Sequence, residues 1–453
     1  MDWSNRDRPG QVRRRVHLLD CWQLVATGRA LGNRKAKLLA AAMTDLDNPK
    51  TYEQLDPSGL RRRLRDLPGQ CQAAWHQSQA LKLPDDWREI SHVVIGGMGG
   101  SAIAGDLAKD LAASQQAVPI TVIRDFQLPF LLTSNHLFVA CSFSGNTVET
   151  LSLLQQARQS EAKVLAVAGG GQLVRIAEEE NLPLLSIQTP GEPRSALGYN
   201  LLLLLGVLAR LELVSTSADD VQSALTALRE QVARLGEEIP AGDNPAKQLA
   251  QELAGRLAFI YAGGLFSGVA RRWKSQLNEN AKALACYESI PELLHNSVEA
   301  FQTAAVGASD SLALLLLPAA ASTELERRYQ IVEELLARQG IPYRRISGSA
   351  GPPLAQQLTM VLLGDYVSYY LALIRSIDPS GTPLLDLGKQ LASQPSTPRL
   401  PEESFSKRPM SFRRVRGDIL RLLLKPLGDS YCVIPGWVIT GSGFAIRPQR
   451  LLY

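Results

Sequence analysis

The 453-residue sequence predicts an α/β fold: two tandem doubly wound domains, each a parallel sheet flanked by helices. Three observations predict it. From Ile90 onward short, near-continuous apolar runs alternate with helical patterns, as strands buried on both faces require. Two Gly-rich strand-to-helix turns, Val93–Ala102 and Cys141–Thr150, follow each other at about forty residues. A second block then opens in the same way, with strand Leu257–Tyr261 running through Ala262-Gly263-Gly264-Leu265-Phe266-Ser267-Gly268 into a helix.

In order, Met43–Asp47 opens the folded body, and Leu55–Lys82 reads as a helix with a basic face (Arg61, Arg62, Arg63, Arg65). His92–Ile95, Ile120–Ile123, Leu137–Ala140, Val164–Ala168 and Leu184–Ile187 read as strands, interleaved with helices Ser101–Ala113, Val148–Ser160 and Leu173–Glu180. Arg194–Leu213 is a strongly apolar helix expected in the core or between domains, and Asp219–Glu238 is a polar bridging helix. The second block continues with helix Val269–Glu279, strand Leu312–Leu317, helix Thr323–Gln339, strand Tyr343–Ile346 and helix Pro352–Ile374. The expected organisation is a basic extension 1–42, a first domain 43–215 with N-terminal helices, a helical connection 216–250, a second domain 251–395 and a basic extension 396–453. Both extensions are poorly patterned and read as candidates for disorder. Residues 1–42 suit a flexible arm, a targeting peptide or translated upstream sequence, the last being favoured, and 396–453 contain one helical pattern, Gly417–Leu424.

The formal charge of +4 is unevenly placed: +6 on 1–42 and +6 on 396–453 leave −8 on 43–395. An acidic central body does not read as a nucleic-acid binder. Five cysteines without CxxC spacing fit reduced thiols in the cytoplasm better than a disulfide framework. The apolar stretch Leu201–Ala209 is too short to span a bilayer, so no membrane partner is expected.

The chemistry begins at Cys141–Thr150. An apolar strand feeds Ser142, Ser144, Gly145, Asn146 and Thr147 and then a helix, placing hydroxyls and unpaired N–H groups where a helix N-terminus favours an anion. With the turn Gly96–Ala102 this suggests a cradle for a phosphorylated, polyhydroxylated small molecule. Glu279, late in a helix, and His295, sixteen residues on, could supply a general base and a second proton carrier. A nicotinamide site is disfavoured, since Gly97-x-Gly99 lacks GxGxxG spacing and Arg124-Asp125 arrives late for a ribose acid.

Six stretches occur in order: Gly97–Ser101, Ser142–Thr147, Pro193–Tyr199, Asn278–Lys282, Ile290–Asn296, and Asp378–Pro383 before Lys389. The series resembles the bifunctional phosphoglucose/phosphomannose isomerases of the sugar isomerase (SIS) domain superfamily, over about residues 43–395. The resemblance implies two SIS-type domains and interconversion of glucose 6-phosphate and mannose 6-phosphate with fructose 6-phosphate, with no metal and no cofactor. It assigns the phosphate to Ser142, Ser144 and Thr147, and the sugar site to Gly100 and Ser101. Glu279 is the implied proton-transfer base, His295 the ring-opening imidazole, Arg194 the enediolate-stabilising cation and Lys389 a second positive group. Thr382 matches a position tied to tolerance of the mannose configuration at C2. A homodimer is implied, with His295 contributed by the partner subunit. One departure stands out: Ser297 occupies a position where the family usually carries glutamate. SIS domains also serve as non-catalytic phosphosugar-binding regulators, the main alternative, but such a protein would lose the base that is present here. A zinc-dependent mannose isomerase is disfavoured because His17, His76, His92, His136 and His295 show no ligand spacing.

Overall fold

Aliphatic runs fill the centre of each sheet, because a parallel strand covered by helices on both faces has no wet side. The computed structural model describes residues 44–87, 89–304 and 310–393. The expected extensions 1–42 and 396–453, with the helical pattern at Gly417–Leu424, lie outside the described residues. The chain divides into two compact units, ending at Thr382 and beginning at Pro383.

The first unit opens with helices α1 (Pro49–Leu55), α2 (Leu60–Arg65) and α3 (Leu67–Ala80), where patterning predicts one helix over Leu55–Lys82. Two local features divide that run. The Asp56 carboxylate accepts from the N–H groups of Leu60 at 2.7 Å and Arg61 at 3.0 Å, starting a new helix there. Pro68 then falls in the first turn of α3, where a missing N–H is tolerated but the preceding helix cannot continue through it.

The first sheet follows as β1 (His92–Gly97), α4 (Gly99–Ser114), β2 (Ile120–Ile123), β3 (His136–Ser142), α5 (Val148–Arg158), β4 (Lys163–Ala168), α6 (Gly171–Glu179) and β5 (Leu184–Ser186). Its order is β2-β1-β3-β4-β5, all parallel, with Val93 opposite both Ile120 and Leu137, and Val139 opposite Leu165. The strand order reverses between β1 and β3, so α4 and α5 leave these strands to opposite faces of the sheet, the kind of switch point at which open α/β sheets bind ligands.

A 3-10 turn (Pro193–Ala196) leads into α7 (Leu197–Arg210), α8 (Ala218–Leu235) and α9 (Pro245–Leu253). Arg194 and Ser195 therefore stand on the turn ahead of the expected apolar helix. The second sheet comprises β6 (Leu257–Ala262), α10 (Ser267–Glu279), β7 (Ala285–Ser289), α11 (Phe301–Ala304), β8 (Ser311–Leu317), α12 (Thr323–Arg338) and β9 (Tyr343–Ser347), followed by α13 (Pro353–Ile374). Its order is β7-β6-β8-β9, again all parallel, with Ile260 between Tyr287 and Leu314. In the second unit the described structure is α14 (Pro383–Ser393).

One core joins the inner faces of both sheets to the helices between them: Ile95, Val139 and Val167 from the first, Ile260, Leu314 and Leu316 from the second, with Leu201–Leu205 of α7 and Val361 of α13. Separate clusters around Phe138 and Leu153, and around Leu315 and Tyr329, cover the outer faces. Helix α13 is long and apolar enough to cross a bilayer, but 94% of its apolar window is buried inside the protein. Its Gln357 amide donates to the carbonyls of Leu107 at 3.0 Å and Leu265 at 3.1 Å, tying together the elements that carry the two sheets.

Candidate active site

Ser142, the last residue of β3, is buried and shares a hydrogen bond with Thr147 Oγ1 at 2.9 Å. Its Oγ also accepts from Gly145 N at 3.1 Å, while Ser144 Oγ accepts from Asn146 N at 3.2 Å. The loop is thus closed by its own hydroxyls just before α5, whose N-terminus has no side-chain cap. Gly145 holds φ +66°, and a Cβ there would stand 1.7 Å from the Gly170 carbonyl oxygen, so glycine is required. The neighbouring β4–α6 turn braces the loop, with Leu173 N donating to Gly145 O at 2.9 Å and Gln172 N to Asn146 Oδ1 at 2.9 Å.

A second contact carries the loop across to β1. Phe143 N donates to Ser101 Oγ at 3.3 Å, so Ser101, in the first turn of α4, touches the Ser142–Thr147 segment. One residue earlier, a Cβ on Gly100 would meet Pro193 O at 3.1 Å and Arg194 Cα at 3.3 Å. This glycine lets the helix N-terminus approach the backbone that carries Arg194.

The Arg194 side chain is 5% exposed and makes three kinds of contact. Its Nε donates to Asn280 Oδ1 at 2.7 Å, and Nη2 donates to the carbonyls of Pro379 and Ser380, both at 2.8 Å. Its Nη1 faces Glu279 Oε2 at 3.4 Å. Burial draws the guanidinium pKa below its ordinary value, opposed by the charges of Glu279 and Glu192, yet an arginine remains protonated across the physiological range. Glu279 ends α10 and keeps its side chain 27% exposed. Continuous contacts therefore run from the Ser142–Thr147 loop through Ser101 and Gly100 to Arg194 and Glu279. A partly open carboxylate faces a buried cation at one end, and the hydroxyl-bearing Ser142–Thr147 loop lies at the other.

The remaining expected residues stand differently. His295 ends a 3-10 turn (Glu292–His295) after β7, is exposed, and among the described residues its ring has no hydrogen bond or ion pair. Thr382 closes the first unit, following the 379–380 carbonyls that Arg194 holds. Lys389 lies on α14 in the second unit, 78% exposed and 3.8 Å from Asp386 Oδ1. Ser297, at the departure from the family pattern, donates to Glu288 Oε2 at 2.5 Å and to Asn296 Oδ1 at 2.8 Å. A carboxylate from β7 thus lies beside that position.

Several participants are not evident from sequence. Asn280 bridges Arg194 to Ser368 Oγ, to which its amide donates at 3.0 Å. Lys282 is half-buried, and burial, reinforced by Arg194, lowers its pKa from the usual lysine value. Among the described residues no group of three or more His, Cys, Asp or Glu side chains is placed to hold a metal.

Residues 242–391 match the family model described as the bacterial phospho-glucose isomerase C-terminal SIS domain. The chain is 32% identical over 329 residues to a bifunctional phosphoglucose/phosphomannose isomerase of Caldicellulosiruptor bescii, covering 72% of this chain and 96% of that protein. It belongs to the bifunctional phosphoglucose/phosphomannose isomerase family. A family member from Thermoplasma acidophilum is 30% identical, over 67% of this chain and 90% of its own length. Among solved structures, a glucose-6-phosphate isomerase like protein from Thermus thermophilus aligns with a TM-score of 0.53 at 23% identity, covering 77% of this chain and 100% of that one. A hypothetical protein from the same organism reaches 0.60 at 18% identity, covering 81% and 96%. These two likenesses concern the fold; the membership makes the chain an isomerase.

Proposed function

We propose that the chain interconverts glucose 6-phosphate and mannose 6-phosphate with fructose 6-phosphate, without a metal ion, by ring opening and a cis-enediolate. The observation that carries this reading is the 3.4 Å approach of Arg194 Nη1 to Glu279 Oε2, beside the Gly100 turn that leads on to the Ser142–Thr147 loop. Ser142, Ser144 and Thr147 hold the phosphate with the N-terminus of α5, and Gly100 and Ser101 line the sugar. His295, assisted by Lys389, gives a proton to the ring oxygen as the aldose opens. Glu279 removes the C2 proton and returns it to C1, which one carboxylate on one face of a planar enediolate can do. Arg194 Nη1 donates to the enediolate oxygen while Nε and Nη2 stay anchored; a preorganised donor of this kind contributes roughly 3–4 kcal/mol. Thr382 accommodates the mannose configuration at C2.

The two sheets support SIS domains at 43–215 and 251–395 joined by the helical connection 216–250, and the charge of the sequence supports basic extensions at 1–42 and 396–453. The exposure of His295 and its lack of a partner among the described residues support a homodimer whose sites are shared between subunits. Free Cys71, Cys141 and Cys286 support a cytoplasmic setting, where the reaction would serve glycolysis and gluconeogenesis.

A coupled assay tests the reading: fructose 6-phosphate should yield glucose 6-phosphate and mannose 6-phosphate, undiminished by chelation, and Glu279→Gln should abolish both. Silence of the wild type while phosphosugar still binds would overturn it.

A further inference from the structure

Lys282 sits just past α10 with φ +50°, a left-handed conformation that side-chain-bearing residues such as lysine seldom adopt. What the strained turn achieves is visible in its side chain. Lys282 Nζ donates to Asn280 O at 3.2 Å and to Asp378 O at 2.9 Å. The next two carbonyls, Pro379 O and Ser380 O, receive Arg194 Nη2 at 2.8 Å each. Three consecutive carbonyls are therefore held by two cations. The same two cations are joined through one residue: Asn280 Oδ1 accepts from Arg194 Nε, and Asn280 O accepts from Lys282. Arg375 Nη2 adds a long contact to Lys282 O at 3.5 Å. The lysine's hydrogen bonds go to backbone acceptors, while Asp378, Glu279 and Glu192 favour its charge from further off.

We propose that Lys282 is a positioning residue of the isomerase site, forming with Arg194 a two-cation clamp on the 378–380 carbonyls that keeps the Arg194 fork aimed at Glu279. The clamp rests on the reading of Arg194 and Glu279 given above. Mechanically, Arg194 keeps Nη1 pointed at a reacting oxygen through two anchors, Nε on Asn280 Oδ1 and Nη2 on the Pro379 and Ser380 carbonyls, and the second holds only while that segment does not move. Pro379 and Ser380 lie on a connection between helices and lack a strand or helix ladder of their own. Lys282 fixes the first carbonyl of that segment, while the Ser380 end is tied by its N–H to Asp378 Oδ1 at 2.8 Å and by its hydroxyl to Arg63 Nη2 at 3.3 Å. An arginine can replace the donor, whereas methionine keeps the aliphatic stem and removes it.

The test compares wild type, Lys282→Met and Lys282→Arg by steady-state kinetics on fructose 6-phosphate and by hydrogen exchange of the 378–382 amides. Lys282→Met should lower kcat by about 10²-fold, the cost of a small misplacement of a catalytic group, with KM little changed because the phosphate loop is untouched. Exchange within 378–382, read at the Ser380 amide that donates to Asp378 Oδ1 at 2.8 Å, should rise about tenfold while α10 and the Ser142–Thr147 loop stay protected, and Lys282→Arg should recover most of both. Unchanged exchange at 378–382 in Lys282→Met overturns the clamp, and so does a wild-type kcat. A general loss of protection across α10 would show instead that Lys282 only supports folding. If the wild type turns over no hexose phosphate but Lys282→Met still loosens 378–382 selectively, the clamp stands and the functional reading fails.

Discussion

Ser142 Oγ serves two partners at once, Thr147 Oγ1 and Gly145 N, and shapes the loop that precedes α5. Ser142→Ala removes both contacts, each worth about 1 kcal/mol. Its expected kinetic signature is a KM for fructose 6-phosphate raised roughly tenfold with kcat within a few-fold, because phosphate contacts act on ground and transition states alike. A large fall in kcat at constant KM would contradict that assignment. Arg194→Lys, in contrast, should reduce kcat by about 10²–10³-fold, since one ammonium cannot hold Asn280, two carbonyls and Glu279 together. Residues of the first kind are legible in the sequence, because Ser142–Thr147 and Gly97–Ser101 form their geometry within a few positions. The carbonyls of Pro379 and Ser380 are not legible. They lie 185 and 186 residues from Arg194 and act through backbone oxygens that every sequence possesses. His295 is legible as a residue type, but its surroundings among the described residues contain no partner.

Helices α4 and α10 meet where Gly268 N, near the start of α10, donates to Asp110 Oδ2 at 2.5 Å. The ends of these helices that carry the proposed site lie away from that bond, Gly100–Ser101 beginning α4 and Glu279 ending α10. Burial pushes the Asp110 pKa up to about 7, reinforced by Asp106 and opposed by the Gly268 hydrogen bond, Lys109 and Arg271. The unfolded carboxyl ionises near its ordinary value of 3.8. Between about pH 4 and 7 the folded chain therefore binds more protons at this site than the unfolded one, so stability falls as pH rises and levels off above. Asp110→Asn keeps an acceptor for Gly268 N and removes the titration. Relative to wild type it should gain up to about 1.4 kcal/mol per unit across that window. Denaturant unfolding at pH 4.5 and 8 checks this, and parallel pH profiles for the two proteins would contradict it. Elements were legible where burial is two-sided: strands β1, β3, β4, β6 and β8 all read as apolar runs. Strand β7 did not, because it lies at a sheet edge and only Ala285 of its five residues is buried. Helices α9 and α14 also escaped, at only nine and eleven residues.

For the whole molecule, tandem organisation was legible because each sheet opens with the same strand, Gly-rich turn and helix. Shared sites follow from the proposed homodimer and lead to a complementation result. Glu279→Gln and His295→Ala should each be inactive, yet mixing after dissociation and reassociation should restore about a quarter of wild-type activity through hybrid dimers with one intact site. No recovery with confirmed hybrid dimers would place both residues in the same subunit's site. The central claim, that Glu279 moves a proton between C1 and C2, is tested most directly by running fructose 6-phosphate in deuterium oxide and observing the aldose C2 proton by magnetic resonance. Wild type should place deuterium at C2 of both glucose 6-phosphate and mannose 6-phosphate, and Glu279→Gln should slow this by about 10²–10⁴-fold while still binding phosphosugar. Exchange at the wild-type rate in Glu279→Gln would contradict the account.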